Sequence, residues 1–176
     1  MSDERLVQIQ ICGDQHLIFD VKDVQHLREK HHIVGSMIGS LPRFPQQNGF
    51  YGLPMLLFPE VAALIIREGL GSWNKKDDSQ PFMDELKYQV YRHLWQLGMY
   101  MTSGIKFGGD YLAYPGDPMR FHSHYVVRAQ ERTQEWTMTE LVTMGRLAAT
   151  TKKTFVLASV MEDEQVETFT IAWAGF

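Results

Sequence analysis

Cysteine is almost absent from this sequence: Cys12 is the only one among 176 residues. One cysteine forms no disulfide within the chain and builds no cysteine-rich zinc site, so a reducing cytosolic or nuclear compartment is expected. Long apolar runs are also missing, since the longest, residues 53–57 and 61–66, fall short of the roughly 18 residues that a membrane span needs. The first residues lack the basic-then-apolar order of a secretory signal. We therefore expect no membrane partner.

The sequence also lacks an excess of positive charge. The chain has 17 Lys and Arg against 21 Asp and Glu, a formal net charge of −4, which disfavours nucleic-acid binding by bulk charge alone. The charge is unevenly spread, however: residues 98–160 carry seven basic and five acidic side chains, and residues 161–176 carry four acidic and no basic ones. Any nucleic-acid function must therefore come from a local site.

The hydrophobic and turn patterns divide the chain into two α/β parts. We predict an N-terminal α/β domain over residues 1–70, a polar linker over 71–80 and a C-terminal domain over 81–176. The first domain is predicted to contain a hairpin turning at Gly13-Asp14, a helix capped by Asp23 and ending near His31, a strand over 33–38, a loop over 41–54, and a helix from Pro59 to Gly69.

The second domain combines helices with strands that together form a central mixed sheet. We predict a helix from Pro81 to Gly98, a strand-turn-strand unit over 100–114, a strand over 122–129, a helix opened by the capping box Thr137-x-x-Glu140, and strands over 154–160 and 168–173 around the acidic turn 162–164.

Several polar side chains of the second domain have both a chemical and an ordinary interpretation. His122 and His124 lie at alternate positions of a predicted strand, a spacing that suits either a pair of metal ligands or ordinary strand histidines. A zinc site would need further ligands. Lys152-Lys153 follows a helix, where lysines interact favourably with the negative end of the helix dipole. Tyr114, at a strand end, suits an edge-of-core residue. As a set, however, Tyr, His and Lys supply the base, acid and cation that metal-free RNA cleavage requires.

The order and spacing of these residues resemble the tRNA-splicing endonuclease family. The similarity is carried by Gly104-Ile105-Lys106-Phe107-Gly108-Gly109-Asp110, by Tyr114-Pro115-Gly116-Asp117-Pro118, by Phe121-His122-Ser123-His124-Tyr125 and by Lys152-Lys153-Thr154. Upstream, Gly39-Ser40-Leu41-Pro42-Arg43 and residues 53–57 resemble the N-terminal domain of the eukaryotic catalytic subunit assigned to the 3′ splice site. The resemblance implies an α+β mixed fold with a restriction-endonuclease-like catalytic domain.

The resemblance also implies the reaction and its residues. Tyr114 would act as general base for the ribose 2′-hydroxyl, His122 as general acid for the leaving 5′-oxygen, and Lys153 as the cation that stabilises the phosphorane. The products would be 2′,3′-cyclic phosphate and 5′-hydroxyl ends, so the enzyme would be a lyase without metal or cofactor. Arg146 and Trp173 match positions that grip RNA near the cut, although Trp173 also suits a core strand aromatic.

The implied partners are an intron-containing precursor tRNA, a second catalytic subunit and two structural subunits, forming a heterotetramer. The implied location is the nucleus, or the cytoplasm or mitochondrial surface in some organisms. Two further features match docking elements of the family, the acidic turn 162–164, which also suits a solvated turn, and the terminal strand ending at Trp173. The alternative function is a non-catalytic structural or RNA-binding subunit of the same assembly.

Overall fold

The computed structural model describes residues 5–40, 51–74 and 83–174. The chain divides into two compact units, Met1–Asp84 and Glu85–Phe176, and each holds a five-stranded sheet with antiparallel and parallel neighbours. The fold is therefore mixed α/β, as the sequence predicts.

The first unit forms its sheet in the order β3-β4-β2-β1-β5, with β1 and β5 parallel and the other neighbours antiparallel. Its elements are β1 (Val7–Cys12), β2 (Gln15–Ile18), α1 (Val21–His31), β3 (Ser36–Gly39), β4 (Gly52–Leu57), α2 (Pro59–Arg67) and β5 (Gly71–Asn74). The predicted hairpin at Gly13-Asp14 and the helix opened by Pro59 are confirmed.

Helix α1 corrects the predicted cap. The side chain of Asp20, not of Asp23, caps the helix by accepting a 2.7 Å hydrogen bond from the Lys22 amide. Asp23 lies inside the first turn, where its buried carboxylate accepts from the Gln8 amide on β1 at 3.1 Å. Aspartates three residues apart both suit a cap locally, and the tertiary contact of Asp23 with β1 distinguishes the two.

Two predicted irregular segments contain strands. Within the predicted loop over residues 41–54, residues 52–54 belong to β4, while residues 41–50 lie outside the described residues. The predicted linker begins with β5, which pairs with β1 through Val7 and Gly71, and residues 75–80 again lie outside the described part. A Cβ atom on Gly71 would lie 2.6 Å from the Val7 carbonyl oxygen, so the glycine that suggested a turn is what permits this pairing.

The second unit forms its sheet in the order β10-β9-β8-β7-β6, in which β8 and β9 are parallel. Its elements are α3 (Glu85–Gln96), β6 (Tyr100–Ser103), a 3₁₀ turn (Ile105–Phe107), β7 (Tyr111–Tyr114), β8 (Tyr125–Ala129), α4 (Met138–Thr150), β9 (Thr154–Val160) and β10 (Val166–Ile171). Helix α3 begins at Glu85, and the predicted start at Pro81 lies outside the described residues.

Most of the second unit follows the sequence pattern. The strand-turn-strand unit, the capping box of Thr137 with Glu140, and strand β9 are confirmed. Helix α4 packs Ala148, Leu141 and Met144 against a core that includes Val126 and Phe155. The predicted strand over residues 122–129 is shorter than expected, because β8 begins at Tyr125. His122 and His124 therefore do not share a strand face.

Candidate active site

The sheet of the second unit brings Tyr114, His122 and Lys153 to one end. Tyr114 ends β7, whose preceding residue Ala113 pairs with Tyr125 at the start of β8. Tyr125 in turn pairs with Thr154, the residue that directly follows Lys153. Tyr114 and Lys153 therefore flank the start of β8, one on each side. Since neighbouring strands lie about 4.8 Å apart, the backbones of these two residues are separated by roughly 10 Å across the sheet.

The side chain of Tyr114 is fixed both at its ring and at its hydroxyl group. Its half-buried ring packs against the core cluster that includes Leu112 and Phe155. Its hydroxyl lies 3.2 Å from the hydroxyl of Thr102 on the neighbouring strand β6. A ring fixed by packing and a phenol fixed by a hydrogen bond leave Tyr114 little rotational freedom.

His122 leaves a tight loop and remains exposed. The Asp117 carbonyl closes this loop by accepting from the amides of Arg120 at 2.8 Å and Phe121 at 3.0 Å. The Asp117 carboxylate accepts from the Met119 amide at 2.8 Å. The compact turn returns the chain towards Tyr114 and leaves the imidazole of His122 accessible to a substrate.

The backbone of His124 connects the three strands near the candidate site. Its amide donates to the Ala113 carbonyl at 3.0 Å, and its carbonyl accepts from the Thr154 amide at 2.9 Å. These two bonds tie the segment carrying His122 to the residues beside Tyr114 and Lys153. His124 thus has a structural role through its backbone.

Lys153 follows a helix end of defined geometry. The Lys153 amide donates to the Ala148 carbonyl at 2.9 Å and the Lys152 amide donates to the Ala149 carbonyl at 2.9 Å, which together form a Schellman motif. Lys152 occupies the left-handed position of this motif with φ 56°. The motif turns the chain directly from α4 into β9 and fixes the backbone of Lys153.

The ammonium group of Lys153 lies between a carbonyl and an aromatic ring. Its Nζ donates to the Thr151 carbonyl at 3.0 Å and lies 5.0 Å from the centroid of the Phe107 ring. The predicted interaction with the end of α4 therefore exists. Within the described parts of the chain, this ammonium makes no ion pair with a carboxylate, so its charge is not neutralised.

Arg146 and Trp173 lie together away from the core. The Arg146 guanidinium carbon is 5.9 Å from the centroid of the Trp173 ring, and both side chains are exposed. Trp173 follows β10, so the interpretation as a core strand aromatic is wrong. A guanidinium and an indole held side by side are the groups that stack on an unpaired base.

The Gly-Gly-Asp segment belongs to the scaffold. A Cβ atom on Gly109 would lie 2.6 Å from a methyl carbon of Val126, so glycine allows the chain to pass close to β8. The Asp110 carboxylate accepts from the Ala129 amide at 2.9 Å and pairs with Lys87 of α3 at 3.0 Å. This segment precedes β7 and thus lies at the end of the strand opposite to Tyr114.

Two contacts of the candidate site were not predicted from the sequence. Thr102 contacts Tyr114, and Phe107 contacts Lys153. Both contacting residues belong to the strand-turn-strand region, whose strand pairing could be predicted but whose side-chain contacts could not. Residue spacing gives no direct signal for either contact, because both cross between elements.

Residues 5–40, 51–74 and 83–174 contain no group of three or more His, Cys, Asp or Glu side chains that could hold a metal ion. His122 and His124 thus lack a third ligand of these types within the described chain. The same residues include no helix of the length and apolar character needed to cross a membrane.

Two family models match the two units. Residues 7–76 match the TSEN34-like N-terminal domain, and residues 85–168 match the catalytic C-terminal domain of tRNA intron endonucleases. The second unit is therefore a catalytic domain of the endonuclease class. Together with the N-terminal match, this shows that the chain belongs to the tRNA-splicing endonuclease family.

Individual relatives agree with this assignment. The chain is 41% identical over 91 residues to the tRNA-splicing endonuclease subunit Sen34 of Mus musculus, which covers 52% of this chain and 29% of the relative. It is 25% identical to a probable tRNA-splicing endonuclease subunit sen34 of Schizosaccharomyces pombe across the full length of both. A tRNA-splicing endonuclease of Methanopyrus kandleri is 40% identical over 86 residues, covering 49% of this chain and 48% of the relative. The chain thus spans less than a third of the mouse relative's length.

Proposed function

We propose that this chain is a catalytic subunit of a tRNA-splicing endonuclease that cleaves precursor tRNA at the 3′ splice site. The observation that carries the proposal is the placement of Tyr114, His122 and Lys153 at one end of the sheet in a domain of the endonuclease family. The similarity to subunits named Sen34 supports the choice of subunit.

The proposed reaction needs no water as nucleophile. Tyr114 takes the proton of the ribose 2′-hydroxyl, whose oxygen attacks the adjacent phosphorus. The bond from phosphorus to the 5′-oxygen breaks, and His122 gives that oxygen a proton. Lys153, whose charge no described carboxylate neutralises, stabilises the negative charge on the phosphorane. The products are a 2′,3′-cyclic phosphate and a 5′-hydroxyl.

The RNA and the other subunits complete the proposal. Arg146 and Trp173 are proposed to stack on a base extruded near the cut, since both are exposed and their charged and aromatic groups already face each other. The proposed partners are a second catalytic subunit and two structural subunits, in a heterotetramer. We propose the nucleus as its location, with the cytoplasm or mitochondrial surface as organism-dependent sites.

The test uses the reconstituted assembly on an intron-containing precursor tRNA. We expect His122→Ala to lower the rate at the 3′ splice site by about 10²- to 10⁴-fold, the usual contribution of a positioned acid. His124→Ala is the matched control, because the role of His124 resides in its backbone, and it should stay near the wild-type rate. Near wild-type cleavage by His122→Ala would contradict the acid assignment.

The substrate provides a second arm of the same experiment. Replacing the 2′-hydroxyl at the cut by hydrogen should abolish cleavage and leave RNA binding nearly unchanged, because the nucleophile alone is removed. Cleavage of the deoxy substrate would indicate a water nucleophile. If an assembly that lacks this chain still cleaves the 3′ splice site but is less stable, the alternative of a structural or RNA-binding subunit is supported instead.

A further inference from the structure

We propose that Phe107 is a positioning residue for Lys153: its ring holds the ammonium group where it can meet the phosphate without neutralising its charge. The inference rests on the proposed function and extends it to a residue outside the proposed catalytic set. The Lys153 Nζ lies 5.0 Å from the Phe107 ring centroid, a distance within the range of a cation–π contact.

The Phe107 ring is itself fixed. Phe107 ends the 3₁₀ turn, and its amide donates to the Gly104 carbonyl at 2.8 Å. Gly108, with φ 76°, ends the turn in the left-handed region, and a Cβ atom there would lie 3.0 Å from the Met144 sulfur of α4. The ring also packs against the core cluster beneath α4. The Gly-rich segment thus places one aromatic face at a defined position.

The two contacts of the ammonium group leave its charge available. A lysine ammonium has three N–H donors, and the Thr151 carbonyl accepts one at 3.0 Å. The Phe107 ring attracts the cation through its quadrupole and carries no net charge. A carboxylate would fix the lysine equally well, but it would cancel the positive field that a developing phosphorane requires. Carbonyl and ring together restrict Lys153 and leave at least one donor for a phosphate oxygen.

The decisive comparison is Phe107→Leu against Phe107→Tyr. Leucine retains apolar volume and loses the aromatic face, whereas tyrosine retains both the ring and its position. We expect Phe107→Leu to lower kcat at the 3′ splice site by about 3- to 10-fold with KM unchanged, and Phe107→Tyr to restore the wild-type kcat. Ile105→Ala, in the same 3₁₀ turn but 77% exposed, is the control and should retain wild-type kinetics.

A second readout separates this inference from the proposed function. In the full chain labelled with ¹³C-lysine and free of RNA, the ε-methylene protons of Lys153 should be shifted upfield by the ring current, with the signal assigned by its loss in Lys153→Arg. The upfield shift should disappear in Phe107→Leu and persist in Phe107→Tyr.

The outcomes are distinguishable. An unshifted Lys153 signal in the wild-type chain, or an unchanged signal in Phe107→Leu, overturns the contact whatever the cleavage result. A lost shift with unchanged kcat overturns the positioning role. A wild-type assembly that does not cleave contradicts the proposed function and with it the catalytic part of the inference, while the proton shift still decides the contact.

Discussion

At the residue scale, the side chains proposed for chemistry depend on neighbours that do no chemistry. Tyr114 has the hydroxyl of Thr102 at 3.2 Å, and Lys153 has the carbonyl of Thr151 and the ring of Phe107. The sequence alone predicted Tyr114, His122 and Lys153 through family motifs. It could not predict Thr102 or Phe107 as neighbours, because which side chains touch across elements depends on strand register and on the path of the turn.

The contact of Thr102 leads to a prediction for Tyr114. Removing the hydroxyl in Thr102→Val should lower kcat by about fivefold with KM unchanged, since a typical hydrogen bond contributes about 1 kcal/mol to the orientation of the phenol. Steady-state cleavage of precursor tRNA by the reconstituted assembly measures the effect. Thr102→Ser retains the hydroxyl and should restore the wild-type kcat. Equal losses in both variants would instead indicate a packing defect.

At the element scale, helix α4 connects the proposed site to the core. Its first turn is fixed by the capping box, in which the Thr137 amide donates to the Glu140 carboxylate at 2.9 Å and the Glu140 amide donates to the Thr137 hydroxyl oxygen at 3.2 Å. Its last turn ends in the Schellman motif that positions Lys153. The sequence predicted the start of α4 from Thr137-x-x-Glu140, because that motif is local. The sequence also predicted that Lys152 and Lys153 follow the helix, but not that Lys152 takes the left-handed position, where glycine is usual.

The left-handed Lys152 predicts a stabilising substitution. Lys152→Gly should raise the free energy of unfolding by about 1 kcal/mol, because a side chain is disfavoured at a φ of 56° and glycine is not. Urea unfolding followed by circular dichroism measures this change. Lys152→Ala removes the charge and retains the unfavourable φ, so it should give no such gain. A glycine variant less stable than wild type would contradict this account of the motif.

The capping box predicts a pH dependence. Hydrogen bonds from the Thr137 backbone and side chain lower the pKa of Glu140 from its ordinary value of 4.5. A carboxyl group whose pKa is lower in the folded state stabilises the protein above the unfolded pKa, and this stabilisation is lost as the pH falls through the folded pKa. The melting temperature of the wild type should therefore exceed that of Glu140→Gln at neutral pH. The difference between the two melting temperatures should shrink below about pH 4.5.

The measurement is the melting temperature of both proteins by calorimetry between about pH 7 and pH 3. Glutamine can still accept the capping hydrogen bonds, so the comparison isolates the charge. A melting difference that stays constant over this pH range would contradict the contribution of the carboxylate.

At the scale of the whole molecule, the chain has a formal net charge of −4, yet the ammonium group of Lys153 remains free of any ion pair within the described residues. The acidic excess lies in part in the exposed turn 162–164, whereas Lys153 has no carboxylate partner among the described residues. A subunit of this kind needs no strongly basic surface if RNA affinity is shared among several chains, as we propose. Composition thus disfavoured a bulk polyanion binder and left a local ribonuclease site open.

The proposed chemistry predicts that cleavage is independent of added metal ions. Excess EDTA should leave the cleavage rate of the assembly within about twofold of the untreated rate, since the proposed base, acid and cation are all side chains of the protein. Cobalt hexammine in the buffer keeps the tRNA folded without offering exchangeable metal ligands. Loss of cleavage in EDTA with recovery on adding zinc would instead favour a metal site at His122 and His124.

The sequence by itself determined the local features: the hairpin at Gly13-Asp14, the capping box at Thr137, strand β9 and the motifs that identify the family. Such features depend on neighbouring residues, so a linear reading captures them. The tertiary structure decided that Gly71–Asn74 pair with β1, that Asp20 caps α1, and that His122 lies on a loop before β8. It also decided which neighbours hold Tyr114 and Lys153, because parallel pairing of β8 and β9 joins residues far apart in the chain.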